Sequence, residues 1–187
     1  MKIILASQSL IRKRALDLLG LTYETIPSDI DEKAIRDPDP LKMAQRLSEA
    51  KAHAIGERHP GIIIASDAFL VFQERILEKP NDLQEAHKML RSLSGAHYDF
   101  VTGVAVYSTI TKKMLSSVAT CKIHMRQLSD HEIADYIQKN PVLKFAGGHD
   151  TDGVVRFSEK VEGNCNFFTA IPMNKLIEFL QLQGIRV

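Results

Sequence analysis

Asp67 is the only charged residue in the eleven-residue run Ile62 to Phe72, where it follows three consecutive isoleucines, an alanine and Ser66. Burying an unpaired carboxylate is costly, so Asp67 should meet a cation, a metal or the mouth of a cleft. A carboxylate on a rigid strand suits metal binding or general-base work, and a capped turn between two strands is the alternative. Lys51 poses the reverse problem. At 100° per residue it falls in the middle of the apolar stripe formed by Ala44, Leu47, Ala54 and Ile55. Such a lysine either snorkels along the apolar surface or points into an anion cleft. A third cluster, Ser7-Gln8-Ser9-Leu10-Ile11-Arg12-Lys13-Arg14, sets hydroxyls and three cations at a strand-to-helix turn. Cations there oppose the helix dipole by about 0.3 to 1 kcal/mol each. A bound phosphate would explain them, and a solvated basic face is the plainer reading. In Glu78-Lys79-Pro80, the proline holds Lys79 extended just before a helix start, which would aim its ammonium at a phosphate. Asp31-Glu32, in an acidic loop, is a candidate Mg²⁺ ligand pair if the loop is more than solvated.

Other chemistries lack their residues. The seven histidines show no HExxH spacing, no GxSxG occurs, and the two cysteines, Cys121 and Cys165, form no CxxC pair. The cysteine usage suits a reducing cytoplasm. With 24 Lys plus Arg against 23 Asp plus Glu, there is no global electrostatic case for nucleic acid or a membrane surface as partner. No apolar run approaches the roughly 18 residues of a membrane helix. One hard-ligand carboxylate set with scattered cations suits phosphoanhydride chemistry with Mg²⁺, where positioning and charge neutralisation carry most of the catalysis.

The elements that must position these groups follow from periodicity and caps. Strands are expected at 2–6, 22–26 and 62–72, and a hairpin over 99–107 and 114–125. Helices are expected from Ser9 to Gly20, from the Asp39-Pro40 cap to about Arg58, and from the Asn81/Asp82 capping boxes to Ser94-Gly95. Further helices should open at Ser129-x-x-Glu132 and at Pro172. The stretch 145–153 reads as a Gly-rich loop, 154–161 as a strand and 162–166 as a turn. Interleaved strands and helices around one hairpin imply an α/β or α+β layered fold with a mixed sheet, and 187 residues suit one domain of two lobes.

Leu5-Ala6-Ser7-Gln8-Ser9 with Arg12, then Asp31-Glu32, Ala50-Lys51-Ala52, Ser66-Asp67, Lys79-Pro80, Leu93-Ser94-Gly95-Ala96-His97, Thr102-Gly103 and Ala146-Gly147 resemble, in order and spacing, the Maf family. The resemblance implies an elongated mixed α/β fold with a central cleft, like that of inosine triphosphate pyrophosphatases. It implies a Mg²⁺- or Mn²⁺-dependent nucleoside triphosphate pyrophosphatase that releases a nucleoside monophosphate and pyrophosphate. It also implies a cytoplasmic protein linked to septum formation, a homodimer, and a nucleoside triphosphate as partner. By motif match, Ser7, Ser9, Arg12 and Lys13 would hold phosphates, Glu32 and Asp67 would carry the metal and water activation, and Lys51 and Lys79 would neutralise the triphosphate. Phe145-Ala146-Gly147, Thr151-Asp152-Gly153 and Ser66 before Asp67 are more similar to the 7-methyl-GTP subgroup than to the dTTP/UTP subgroup. The chain departs from the family pattern at Leu10, Ile11, Ala68, Glu78 and Ala170-Ile171-Pro172, which keeps open a nucleotide-binding regulator with little hydrolysis.

Overall fold

The computed structural model describes residues 1–164 and 166–187. Its strands are β1 (Ile3–Leu5), β2 (Glu24–Thr25), β3 (Ile62–Phe72), β4 (Arg75–Leu77), β5 (His97–Ser108), β6 (Met114–Met125) and β7 (Ser158–Gly163). Its helices are α1 (Leu10–Asp17), α2 (Pro40–Gly56), α3 (Leu83–Leu93), α4 (Asp130–Lys139), α5 (Thr151–Phe157) and α6 (Met173–Leu182). The strands are hydrogen-bonded in the order β2-β1-β3-β5-β6-β7, with β4 on β3. β1 runs parallel to β2 and β3, whereas β4 is antiparallel to β3 and β7 to β6, so the α/β class with a mixed sheet holds. By packing, the chain divides into a first unit of Met1–Ala68, Val101–Ala119 and Asn166–Val187, and a second of Phe69–Phe100 and Thr120–Cys165.

In the first unit, the two-residue period of the strands sorts the core. Ile3, Leu5, Ile62, Ile64, Val104 and Val106 face one way, against Ala15 and Leu16 of α1 and Leu176, Phe179 and Leu180 of α6. Ile4, Ala6, Ile63, Ala65, Ala105 and Tyr107 face the other, against Ala52 and Ile55 of α2. That helix starts as expected, with Asp39 accepting from the Leu41 N–H at 2.8 Å and Pro40 in the first turn. It lies so close to the sheet that a Cβ on Gly103 would stand 2.3 Å from the Ala44 carbonyl oxygen. Only glycine fits there.

In the second unit α3 packs on α4, burying Leu90, Leu93, Ile133 and Tyr136. The Ser129-Glu132 capping box forms as read, and Asp82 caps α3, while Glu85 reaches back to Asn81 rather than to Asp82. One region differs from expectation. The stretch 154–157, expected as a strand, closes helix α5, and 146–148 form a 3₁₀ turn within what reads as loop. The cause is Asp150, whose side chain accepts from the Asp152 N–H at 3.1 Å and the Gly153 N–H at 3.3 Å. Val154 and Phe157, three residues apart, then share a buried face, and Val155 is left exposed. The strand follows instead at β7. The turn expected over 162–166 is replaced by β7 up to Gly163, and Cys165 lies outside the described residues.

His149 sits at the start of α5, fully buried, with Nε2 2.6 Å from the Tyr98 hydroxyl and Nδ1 3.3 Å from the Gly147 carbonyl oxygen. If Nδ1 carries the proton and donates to Gly147, Nε2 accepts from Tyr98. Burial lowers this imidazole to about 4. A histidine whose pKa is lower folded than unfolded stabilises fully above its unfolded value of roughly 6.5, and that stability is lost as pH falls toward the folded value. Between pH 7 and 4.5, wild-type protein should therefore lose about 2 kcal/mol more than His149→Gln in urea unfolding. Equal losses in the two proteins would remove His149 as the acid-sensitive group.

Candidate functional site

The strand period that sorts the core also places the charges. Asp67 continues the Ile63–Ala65 face of β3, toward α2, where Lys51 lies on the buried stripe. The Lys51 ammonium is 2.5 Å from Asp67 Oδ1 and 2.9 Å from Glu32 Oε1. Lys51 is 6% and Asp67 7% exposed, so the lysine does not snorkel: it has a partner, as does the carboxylate. Glu32 is the more exposed member, held on the 3₁₀ turn Glu32–Ala34. Of the expected pair Asp31-Glu32, only Glu32 reaches this cluster, because Asp31 caps the turn by accepting from the Lys33 N–H at 3.0 Å. Burial pushes the Asp67 carboxyl above the usual carboxylate range, against the opposing pull of Lys51 and then Arg12. Burial likewise lowers the Arg12 guanidinium, while the charges of Asp67 and Glu32 resist the shift.

Arg12 projects from the first turn of α1. Its Nη1 donates to the Ser7 hydroxyl at 3.2 Å and its Nε to the Ala170 carbonyl oxygen at 3.3 Å. Ser7 Oγ also accepts from the Ser9 N–H at 3.2 Å. The turn after β1 is thus tied to the guanidinium that the sequence sets against the helix dipole. A cavity of about 360 Å³ in the first unit is lined by Ser7, Gln8, Arg12, Asp29, Glu32 and Lys51, among others. Asp67 lies behind it through Lys51.

Six of the expected site residues therefore divide clearly. Ser7, Arg12, Glu32 and Lys51 share one cavity, whereas Ser9 and Lys13 are not among its lining residues. The Ser9 side chain makes no capping bond, and the Lys13 carbonyl accepts from the Tyr23 hydroxyl at 3.0 Å. Lys79 belongs to the second unit, where it is exposed, and the preceding Glu78 carbonyl accepts from the Gly147 N–H at 3.0 Å. Gln8, within the expected turn cluster, and Asp29 line the cavity and the Ala170 carbonyl holds Arg12, roles the sequence did not assign them. Asp29 and Ala170 adopt left-handed φ values of 50° and 49°, a conformation that costs a non-glycine residue about 1 kcal/mol and that the alanine gives no sign of in its residue type.

The donor set can be tested against the metal that the resemblance implies. Glu32 and Asp67 offer only hard oxygen donors, and their oxygens already flank one cation, the Lys51 ammonium. Among the described residues no group of three or more His, Cys, Asp or Glu could hold a metal by protein ligands alone. The two carboxylates, Glu32 and Asp67, are the number of protein ligands Mg²⁺ takes where phosphate oxygens and water fill its remaining positions. The residues fit.

Comparison with known proteins agrees with the motifs. A 7-methyl-GTP pyrophosphatase of Aliivibrio fischeri is 33% identical over 189 residues, covering 100% of this chain and 98% of its own. A dTTP/UTP pyrophosphatase of Clostridium tetani is 33% identical over 192 residues, covering 100% of both chains. Among solved structures, a HAM1 protein from Coxiella burnetii covers 97% of this chain and 99% of its own, at 15% identity and a TM-score of 0.48. The family model described as Maf-like protein matches residues 2–183, so this chain belongs to the Maf family.

Proposed function

We propose that this protein is a nucleotide pyrophosphatase, a hydrolase of phosphoric anhydrides, that converts 7-methyl-GTP to its nucleoside monophosphate and pyrophosphate. The observation that carries the reading is the Lys51 ammonium, bonded to both Glu32 and Asp67, in a cavity that Arg12 and Ser7 also line. Such a site brings cations to a polyanion and keeps one carboxylate in reserve for a proton. Arg12 and Lys51 hold phosphate oxygens. Water attacks the α-phosphorus, Asp67 takes its proton, and the bond to the bridging oxygen breaks with its electron pair leaving on pyrophosphate. The raised proton affinity of Asp67 favours that role. A divalent ion, Mg²⁺ or Mn²⁺, held by Glu32 and Asp67, would neutralise charge on the phosphate oxygens. The family motif at Lys79-Pro80 assigns one more cation, Lys79, to the leaving pyrophosphate.

The methylated guanine nucleotide is preferred on Ser66 before Asp67 and on the Ala146-Gly147 and Thr151-Asp152-Gly153 segments. The second reading, hydrolysis of dTTP and UTP, is favoured by the relatives that carry that name at similar identity. Pyrophosphate release from 7-methyl-GTP, dTTP, UTP and other modified nucleotides, with and without Mg²⁺, separates them. The expected result is the highest kcat/KM on 7-methyl-GTP and loss of turnover on chelation. Higher kcat/KM on dTTP or UTP supports the second reading, and saturable binding without release makes the protein a nucleotide-binding regulator.

A further inference from the structure

Ser66 and Asp67 are neighbours on β3, so the strand period sends them to opposite faces of the sheet. Asp67 goes to Lys51. Ser66 continues the Ile62–Ile64 face, toward α1 and α6, and is fully buried there. Its hydroxyl lies 2.6 Å from the Gly103 carbonyl oxygen and 2.8 Å from that of Ala170. Ala170 is the residue whose carbonyl also accepts from Arg12 Nε.

Ala170 closes a tight turn in which the Ala170 N–H donates to the Asn166 carbonyl at 2.7 Å and the Thr169 hydroxyl to the Ile171 carbonyl at 2.7 Å. Its left-handed φ of 49° is one that an L-residue rarely adopts. A strained backbone persists only where its surroundings over-determine it. Here the Ser66 hydroxyl does so, together with the bonds within the turn. A carbonyl oxygen has two lone pairs, so that of Ala170 can accept from Arg12 Nε and from the Ser66 hydroxyl, whose single proton is shared between the Ala170 and Gly103 oxygens. With Nε on Ala170 and Nη1 on Ser7, the guanidinium is fixed at two points 158 and 5 residues away in sequence. Arg12 also lines the cavity, and a guanidinium carries five N–H groups, more than these two bonds use.

We propose that Ser66 and Ala170 are positioning residues for Arg12: the hydroxyl clamps the strained turn, and the turn's carbonyl sets the guanidinium for phosphate. The proposal rests on the reading of Arg12 as a phosphate ligand and adds to it two residues that touch no substrate.

The test is a double-mutant cycle in the 187-residue chain with the best nucleotide of the panel. Ser66→Ala should lower kcat/KM by roughly tenfold, in the same proportion between KM and kcat as Arg12→Ala. On the Arg12→Ala background, Ser66→Ala should change kcat/KM by less than about twofold. A merely structural serine would cost the same factor on both backgrounds, and that result overturns the proposal. Ala170→Gly guards against a Ser66 variant that does not fold. It relieves the strained φ, so the melting temperature should stay or rise, yet the loosened turn should lower kcat/KM several-fold. Unchanged kcat/KM in Ala170→Gly overturns the role of the turn. Solvent exchange of the Arg12 Nε–H, followed by ¹⁵N NMR, reads the clamp without turnover and should quicken in Ser66→Ala. If Arg12→Ala left every nucleotide's turnover intact while this exchange still quickened, the phosphate role of Arg12 would fall and the clamp would stand. Unaltered exchange would remove the clamp itself.

Discussion

Asp67→Asn lowers turnover by on the order of 10² or more and leaves the protein folded. The replacement keeps the shape of the side chain but removes the one carboxylate of the apolar run, the group proposed to take a proton from water. Its folding cost is limited by geometry. The Lys51 ammonium keeps Glu32 at 2.9 Å, so it is not stranded when Asp67 becomes neutral. Asparagine also retains an oxygen that can accept from Lys51. Steady-state pyrophosphate release with the best nucleotide, beside thermal melting followed by circular dichroism, checks both halves. A folded variant with near-normal turnover would remove Asp67 from the reaction.

Lys51→Met is expected to damage both stability and activity. The methionine preserves most of the aliphatic stem against α2's neighbours, so the loss is mainly that of charge. Asp67 is 7% exposed, and removing Lys51 leaves a buried carboxylate with the weaker pull of Arg12 and the repulsion of Glu32. Breaking a buried pair from one side costs about 3 kcal/mol, against which the whole stability of a small protein is of similar order. Turnover should fall by on the order of 10², since the same ammonium is proposed to neutralise the phosphates. The sign with pH follows from Asp67. Its carboxyl is already raised by burial, and without Lys51 it rises further, so protonation on acidification relieves the variant. The stability deficit measured in urea should therefore be larger at pH 7 than near pH 4. A deficit that grew toward acid would mean that Lys51 stabilises by something other than its pairing with Asp67.

Much of this site was legible before folding because charge in an apolar setting is a physical contradiction. A carboxylate after three isoleucines had to be compensated and a lysine on a helix's apolar stripe had to snorkel or pair, whatever the fold. Capping chemistry was legible for the same local reason: Asp39, Asp82 and Ser129 sit within three residues of the N–H groups they satisfy. Helix α5 was not. Val154 to Phe157 read as strand because the deciding contacts, the Asp150 cap and a glycine pressed against His149 and Tyr136, involve packing as well as residue type.

By itself, the sequence determined that Asp67 and Lys51 were charges set in apolar surroundings, that a turn of hydroxyls and cations followed the first strand, and that strands and helices alternate in an α/β layer. Tertiary structure decided which partners met: Lys51 with Asp67 and Glu32, Arg12 with Ser7 and with Ala170, and Ser66 with the same Ala170 carbonyl from 104 residues away. The reason is range. Burial and caps are properties of a few adjacent residues, whereas the pairing of Ser66 and Arg12 through one carbonyl depends on the strand period, the left-handed turn at Ala170 and the docking of α1 and α6 on one face, which only the folded chain brings together.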